Sequence, residues 1–325
     1  MRAAWYERTG KAREVLVVGE MPDPVPGPGE VRVALKTSGV NPSDWKARSG
    51  SRPMLGPRII PHSDGAGIID RVGADVPASR VGERVWVWNG QWKRTFGTCA
   101  TMITLPAEQA VALPPAVAFE EGACLGIPAL TAYRALTTDG SVAGKSVLVT
   151  GGAGGVGHYA IQLAGLLGAR QILTTISSDA KASHARAAGA DAAINYKTEN
   201  LVEQVKALTG GRGVDRIVDL DIAGHGKLIP DLIAKDGLVA AYGTNNQQVG
   251  FEFTRMILSG AGVRFFIVYE LAKDVRDAAI THLTRLLEAG VLKHAVAATY
   301  PLDKIVDAHE AVEQGRHMGN VVVTM

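Results

Sequence analysis

The sequence predicts an α/β protein of two domains, a doubly wound parallel sheet preceded by a smaller, irregular β unit. Three observations point to this. The chain has 325 residues, the length of about two domains. Its texture changes after Gly122, from short β-like runs broken by turn residues to strands alternating with helices. A glycine-rich turn then sits directly between a continuously apolar strand and an amphipathic helix.

In the first part, residues 31–36 partly alternate apolar and polar side chains, and residues 85–88 form a second strand candidate. Between the chain start and these strands, Pro22, Pro24, Pro26, Pro28 and Gly29 forbid regular structure and mark a loop. After Gly122, residues 146–150 form an apolar run of the kind found in a strand buried on both faces. A helix follows, with Val156, Ala160, Leu163, Ala164 and Leu167 on one stripe. Further strands are expected at 172–176, 192–195, 214–220, 238–242 and 263–269. Six strands with helical crossovers make a doubly wound sheet of the Rossmann type. Residues 274–289 read as one helix ending at Gly290, and a last strand at 320–324 is positioned to return to the first domain. The expected division is therefore 1–122, 123–270 and a returning segment, 271–325.

Composition narrows the function classes. Apolar residues make up 46% and charged residues 20%, which provides an ordinary buried core. With 34 basic and 32 acidic residues and no basic block, a dedicated nucleic-acid or membrane-surface binder is not indicated. Two cysteines, Cys99 and Cys124, exclude a disulfide framework and a four-cysteine metal site, and fit a reducing compartment such as the cytoplasm. The opening residues lack the apolar region of a signal peptide, and no apolar stretch reaches the length of a membrane span.

The strongest local signal is the turn at residues 151–157, in which Gly152, Gly154 and Gly157 match Gly-x-Gly-x-x-Gly and enclose Ala153, Gly155 and Val156. The first glycine permits the turn, the second lets a pyrophosphate approach the backbone, and the third lets helix and strand pack closely. The free N–H groups of the helix start face the phosphates. The second strand ends without the carboxylate that holds an NAD ribose 2′-hydroxyl. Ser177, Ser178 and Lys181 stand there instead and suit a 2′-phosphate, which favours NADPH. Ser178 is equally an N-cap, and Asp179 either opposes a phosphate or complements the helix dipole.

Several segments together resemble the medium-chain dehydrogenase/reductase superfamily over nearly the whole chain. They include Gly39-Val40-Asn41-Pro42-Ser43-Asp44, Arg48-Ser49-Gly50, Pro61-His62-Ser63-Asp64-Gly65-Ala66-Gly67 and Gly82-Glu83-Arg84-Val85. The stretch from Gly126 to Leu136, which contains Ile127, Thr131 and Tyr133, is similar to the zeta-crystallin-like quinone oxidoreductases. The resemblance implies a chaperonin-like (GroES-like) β domain carrying the acceptor site, a Rossmann domain, a cleft between them, and NADPH-dependent reduction of quinones or other activated conjugated carbonyls. Zinc alcohol dehydrogenases of this superfamily have metal ligands at the positions of Asn41, Ser63 and Ile127, and none of the three is a ligand type here. His62 is expected to be a loop histidine bonded to backbone, and both cysteines small core residues.

Without a Lewis acid, the easier chemistry is hydride delivery to an acceptor that is already electron-poor. Asn41 as donor and Asp44 as an orienting or proton-relay group are the candidates, placed on one face by a short helical turn. Lys46 stands where close relatives have tyrosine. It either binds an anionic acceptor or is a solvated lysine. Trp45, Lys46, Ile127 and Thr131 are the other pocket candidates, and loops 49–61 and 89–98 set its shape. The resemblance places Tyr196, Gly243, Thr244, Phe266, Val268 and Asn320 against the cofactor, Asn320 replacing a common lysine. The alternatives are an enone or enoyl reductase, or a cofactor-binding protein of crystallin or RNA-binding type. The apolar strand 263–269, at the sheet edge, predicts a homodimer.

Overall fold

The computed structural model describes residues 1–325 and divides them into two compact units, residues 1–127 with 282–325, and residues 128–281. The boundaries thus differ from the expected 122 and 270. Residues 123–127 belong to the first unit, where the backbone N–H of Ile127 is bonded to the Asp64 carboxylate. Residues 271–281 belong to the second.

The first unit is built on a seven-stranded sheet whose longest strand, Glu30–Val40, pairs antiparallel with Asp64–Val72, with Met102–Pro106 and with Asn320–Thr324. The closing strand therefore does return to this sheet, with Val321 opposite Val40. Alternate residues of the long strand point inward, and Val31, Val33 and Leu35 form a core with Ile69, Val85, Val87 and Leu105. A second core, under the helix Ile305–Glu313, joins Val40, Ile60, Cys99, Ala308 and Val323.

The second unit holds six parallel strands in the spatial order Ala192–Asn195, Gln171–Ile176, Ser146–Val149, Val214–Asp219, Ile233–Ala241, Gly262–Phe265. Counted along the chain this is 3-2-1-4-5-6, the doubly wound order. Ser146–Val149 lies at its centre, and every residue of it is buried, as its uninterrupted apolar character requires. The fifth strand begins earlier than expected, at Ile233. It contains the exposed polar pair Lys235 and Asp236, and Asp236 adopts a positive φ of 59°. The sixth is shorter than the expected 263–269. Phe266 donates its N–H to Ala241, the last residue of the neighbouring strand, and the chain then turns into a short 3-10 helix, Val268–Glu270. The helix expected at 274–289 spans Lys273–Glu288.

Candidate functional site

In the second unit the glycine turn has the geometry of a phosphate cradle. A Cβ at Gly152 would lie 2.1 Å from the Thr174 hydroxyl, and one at Gly157 would lie 2.2 Å from the Gly151 carbonyl. Both glycines are therefore demanded by packing. Gly154 is different: it is exposed, and a Cβ there would meet nothing nearer than 3.4 Å. The space in front of it is open, as the close approach of a pyrophosphate to the backbone requires. The helix Gly155–Leu166 starts at that point, so the N–H groups of Gly155, Val156 and Gly157 lack intrahelical acceptors and face the opening, while Ala153 is buried behind.

The other predicted cofactor residues of this unit follow the carboxyl ends of the strands, where doubly wound sheets bind ligands. Lys181 Nζ lies 3.2 Å from Ser177 Oγ, which draws cation and hydroxyl together. Ser178 is the N-cap of Asp179–Ala187, its Oγ accepting from the Lys181 N–H at 3.4 Å. Tyr196 is 55% exposed, just past the third strand. Gly243 packs so closely that a Cβ would lie 2.3 Å from the Leu220 carbonyl, and the Thr244 hydroxyl donates to Asn246. Beside them, Asn245 holds Asp221 through its N–H and its amide, and His225 Nδ1 lies 2.8 Å from Asp219. Phe266 follows the sixth strand and Val268 is buried in the 3-10 turn. Thr131 is buried in the helix Leu130–Thr137. Asn320 lies in the first unit, its amide 3.4 Å from the Ala295 carbonyl.

In the first unit, Asn41 caps the helix Pro42–Arg48 and links two buried carboxyl groups. Its backbone N–H donates to Asp44 Oδ2 at 2.7 Å, and its side-chain amide donates to Asp64 Oδ2 at 2.8 Å. Ile127 donates its N–H to the same Asp64 oxygen at 3.0 Å. The amide expected to point at an acceptor thus already gives one N–H to Asp64, which the sequence placed in the resembling segment 61–67 but not among the site candidates. Burial pushes Asp44 up to about 7, against the Asn41 hydrogen bond and the charge of Arg52, which pull it down. Burial likewise raises Asp64 well above the usual carboxylate range. Trp45 and Lys46 are half-buried on the same helix, with the ammonium 5.9 Å from the centre of the indole.

His62 departs from expectation. It is fully buried with φ of 76°, and it is bonded to side chains rather than backbone, Nδ1 to Ser38 Oγ at 2.8 Å and Nε2 to His309 Nε2 at 2.9 Å. Burial lowers His62 to about 3 and His309 well below the usual histidine range, so both rings are neutral. Cys99 and Cys124 are buried and free.

The first unit also contains a cavity of about 200 Å³ between the two loops expected to set the pocket. Tyr6, Arg52, Met54, Leu55, Gln91 and Trp92 are among its walls. None of the residues predicted from sequence lines it, nor do they line a wider surface depression of about 480 Å³ around Glu30, Arg94 and Phe96.

A doubly wound sheet with an open glycine turn, joined to a β unit with buried protonatable carboxyl groups, defines a dinucleotide-dependent oxidoreductase. Two family descriptions match, "Alcohol dehydrogenase GroES-like domain" over residues 27–115 and "Zinc-binding dehydrogenase" over residues 155–285. Human quinone oxidoreductase is 30% identical over 97% of this chain and 94% of its own length. The structure of Escherichia coli quinone oxidoreductase complexed with NADPH superposes with a TM-score of 0.86 at 28% identity, covering all of both chains. A structure titled NAD-dependent alcohol dehydrogenase superposes at 0.89 with 29% identity, again over both whole chains. The chain belongs to the medium-chain dehydrogenase/reductase superfamily, in its zinc-independent, quinone oxidoreductase-like branch. Despite the second family description, the residues do not fit zinc. The Asn41 amide and the Ile127 N–H are proton donors aimed at Asp64, and no three His, Cys, Asp or Glu side chains gather to hold a metal.

Proposed function

We propose that the protein is an NADPH-dependent reductase of quinones or related activated conjugated carbonyls. The observation that carries this reading is Asp44, a buried carboxyl group held by the Asn41 N–H and pushed up by burial to about 7. NADPH supplies a hydride. Delivery of that hydride to a quinone leaves an oxyanion that takes up one proton to become the hydroquinone, and Asp44 is suited to donate it. Asn41 fixes Asp44 through the backbone bond and is itself fixed by Asp64, so the donor is held before the acceptor arrives. In the second unit, Gly154 to Gly157 receive the pyrophosphate, while Lys181 and Ser177 receive the 2′-phosphate.

The test is NADPH oxidation with 1,4-benzoquinone, 9,10-phenanthrenequinone and a simple enone, with and without a chelator. Turnover of a quinone unaffected by chelation is expected. Loss of activity on chelation, or reduction of none of the three, overturns the proposal. Greater turnover of the enone, with a saturated ketone as product, would move the function to carbon–carbon double-bond reduction.

We further propose that the chain forms a homodimer through the edge of the parallel sheet. Gly262–Phe265 has no partner on its outer side. Phe265 is 57% exposed and Ile267 45%, and the adjoining helix Phe253–Ser259 leaves Phe253, Ile257 and Leu258 at 77%, 64% and 75%. A second copy related by a two-fold axis covers such an edge and such a patch together.

A further inference from the structure

The cavity of about 200 Å³ in the first unit has a construction that none of the roles above uses. Arg52 lines it with its guanidinium carbon over the Trp92 ring, 5.2 Å from the ring centre and within cation–π reach. Its Nη2 donates to Gln91 Oε1 at 2.7 Å. Gln91 is buried, and its own amide donates to the Arg94 carbonyl at 2.8 Å, so the group that orients the arginine is itself fixed. A guanidinium has five N–H donors, of which one is engaged by Gln91. No carboxylate lies within ion-pair distance of Arg52, although the chain's other arginines repeatedly take such partners, among them Arg13, Arg32, Arg48, Arg58, Arg80, Arg255 and Arg264.

The rest of the wall is complementary to a flat, largely apolar body. Met54, Leu55 and Ile59 supply aliphatic surface, Trp92 an aromatic face, and Lys93 a second cation, while no acidic side chain lines the cavity. Tyr6 completes it, and burial holds its phenol protonated up to about 12, so it is a hydroxyl donor at any working pH. Ala47 also lines the cavity, three residues and so about one turn beyond Asp44 on the helix Pro42–Arg48, which puts the cavity beside the proposed proton donor.

We propose that this cavity is the acceptor's anion subsite and that Arg52 selects conjugated acceptors carrying a carboxylate or sulfonate. The anionic oxygens lie against the free edge of the guanidinium, and the ring or chain of the acceptor packs on Trp92, Met54 and Leu55. Arg52 is then the specificity-determining residue for the reduction proposed above, and the inference rests on that reading.

The experiment compares 1,4-naphthoquinone-2-sulfonate with 2-methyl-1,4-naphthoquinone as acceptors for the unmodified enzyme, Arg52→Gln and Arg52→Lys. Charge-assisted pairing predicts a KM for the sulfonate at least about tenfold below that of the neutral quinone. Arg52→Gln should shift the ratio of the two KM values by about tenfold or more, and Arg52→Lys, which keeps charge but loses the planar fork, by less. An unchanged ratio in Arg52→Gln overturns the proposal. Calorimetric titration with naphthalene-2-sulfonate, which cannot be reduced, separates the two readings. If neither quinone is turned over but the sulfonate binds and Arg52→Gln abolishes binding, the reductase reading fails and the anion subsite stands. If quinones are reduced and the sulfonate does not bind, the subsite fails and the reductase stands.

Discussion

Replacing Asp44 by asparagine gives the most direct test of the buried carboxyl group. Asparagine keeps the size and can still accept the Asn41 N–H that Asp44 Oδ2 takes at 2.7 Å, but it has no proton to lose. A carboxyl group held at about 7 in the folded chain against 3.8 in the unfolded one contributes stability that is fully present below pH 3.8 and is lost as pH rises through 7. The difference corresponds to about 4 kcal/mol at alkaline pH. Asp44→Asn should therefore match the unmodified protein near pH 4 and exceed it by up to about 4 kcal/mol at pH 8–9. All five tryptophans, Trp5, Trp45, Trp86, Trp88 and Trp92, lie in the first unit, so urea unfolding followed by their fluorescence reads this unit alone. A stability difference independent of pH between 4 and 9 would refute the reasoning. The same substitution removes the proposed proton donor, so the more stable variant should turn over quinone more slowly, with unaltered affinity for NADPH.

Three further outcomes are expected. Lys181→Ala should raise the NADPH dissociation constant by about tenfold or more, since it removes a charge-assisted phosphate contact, and should leave the NADH constant little changed; equal effects on both cofactors would count against the 2′-phosphate assignment. Gly154→Ala should fold normally and lose NADPH affinity in fluorescence titration, because its Cβ would enter the open space proposed for the pyrophosphate, whereas Gly157→Ala should destabilise the second unit by about 1–3 kcal/mol because its Cβ would lie 2.2 Å from the Gly151 carbonyl. Light scattering at micromolar concentration should give twice the 34.2 kDa chain mass, and prolines at Phe265 and Ile267, whose N–H groups point away from the neighbouring strand, should yield monomers.

The parallel sheet was legible because its strands are buried on both faces and read as uninterrupted apolar runs, and because the glycine turn carries its meaning in three positions of one short segment. Residues 263–269 mislead for a related reason. The run is apolar throughout apart from Arg264, but a strand needs a partner, and the neighbouring strand stops at Ala241. Beyond that point Val268 and Tyr269 are apolar because they are buried in the turn, not because they pair. The first unit was harder to read because its contacts join distant residues. His62 and His309 are separated by 247 positions, and the cavity brings Tyr6 to residues of two later loops. The sequence marked both loops as shaping a pocket, but nothing local in it distinguishes Arg52 from an arginine on the surface.

The Asp64 cluster shows how one scaffold supports chemistry without a metal ion. The resemblance places metal ligands of zinc relatives at Asn41, Ser63 and Ile127, and a metal would tie those segments together. Here the same segments are tied by a carboxyl group that accepts the Asn41 amide and the Ile127 backbone N–H on one oxygen. The neighbouring glycine follows from that exchange, because a Cβ at Gly126 would lie 2.3 Å from Asp64 Oδ1. A carboxyl group so deeply buried takes up a proton rather than hold a charge, and the like charge of Asp44 adds to the shift. Asn41 carries the constraint onward, since its side chain is held by Asp64 and its backbone N–H holds Asp44. The position and protonation of the proposed donor thus depend on the residues that stand where the resemblance places the ligand set, and the chemistry proposed for it is proton donation to a reduced acceptor rather than polarisation of an alcohol.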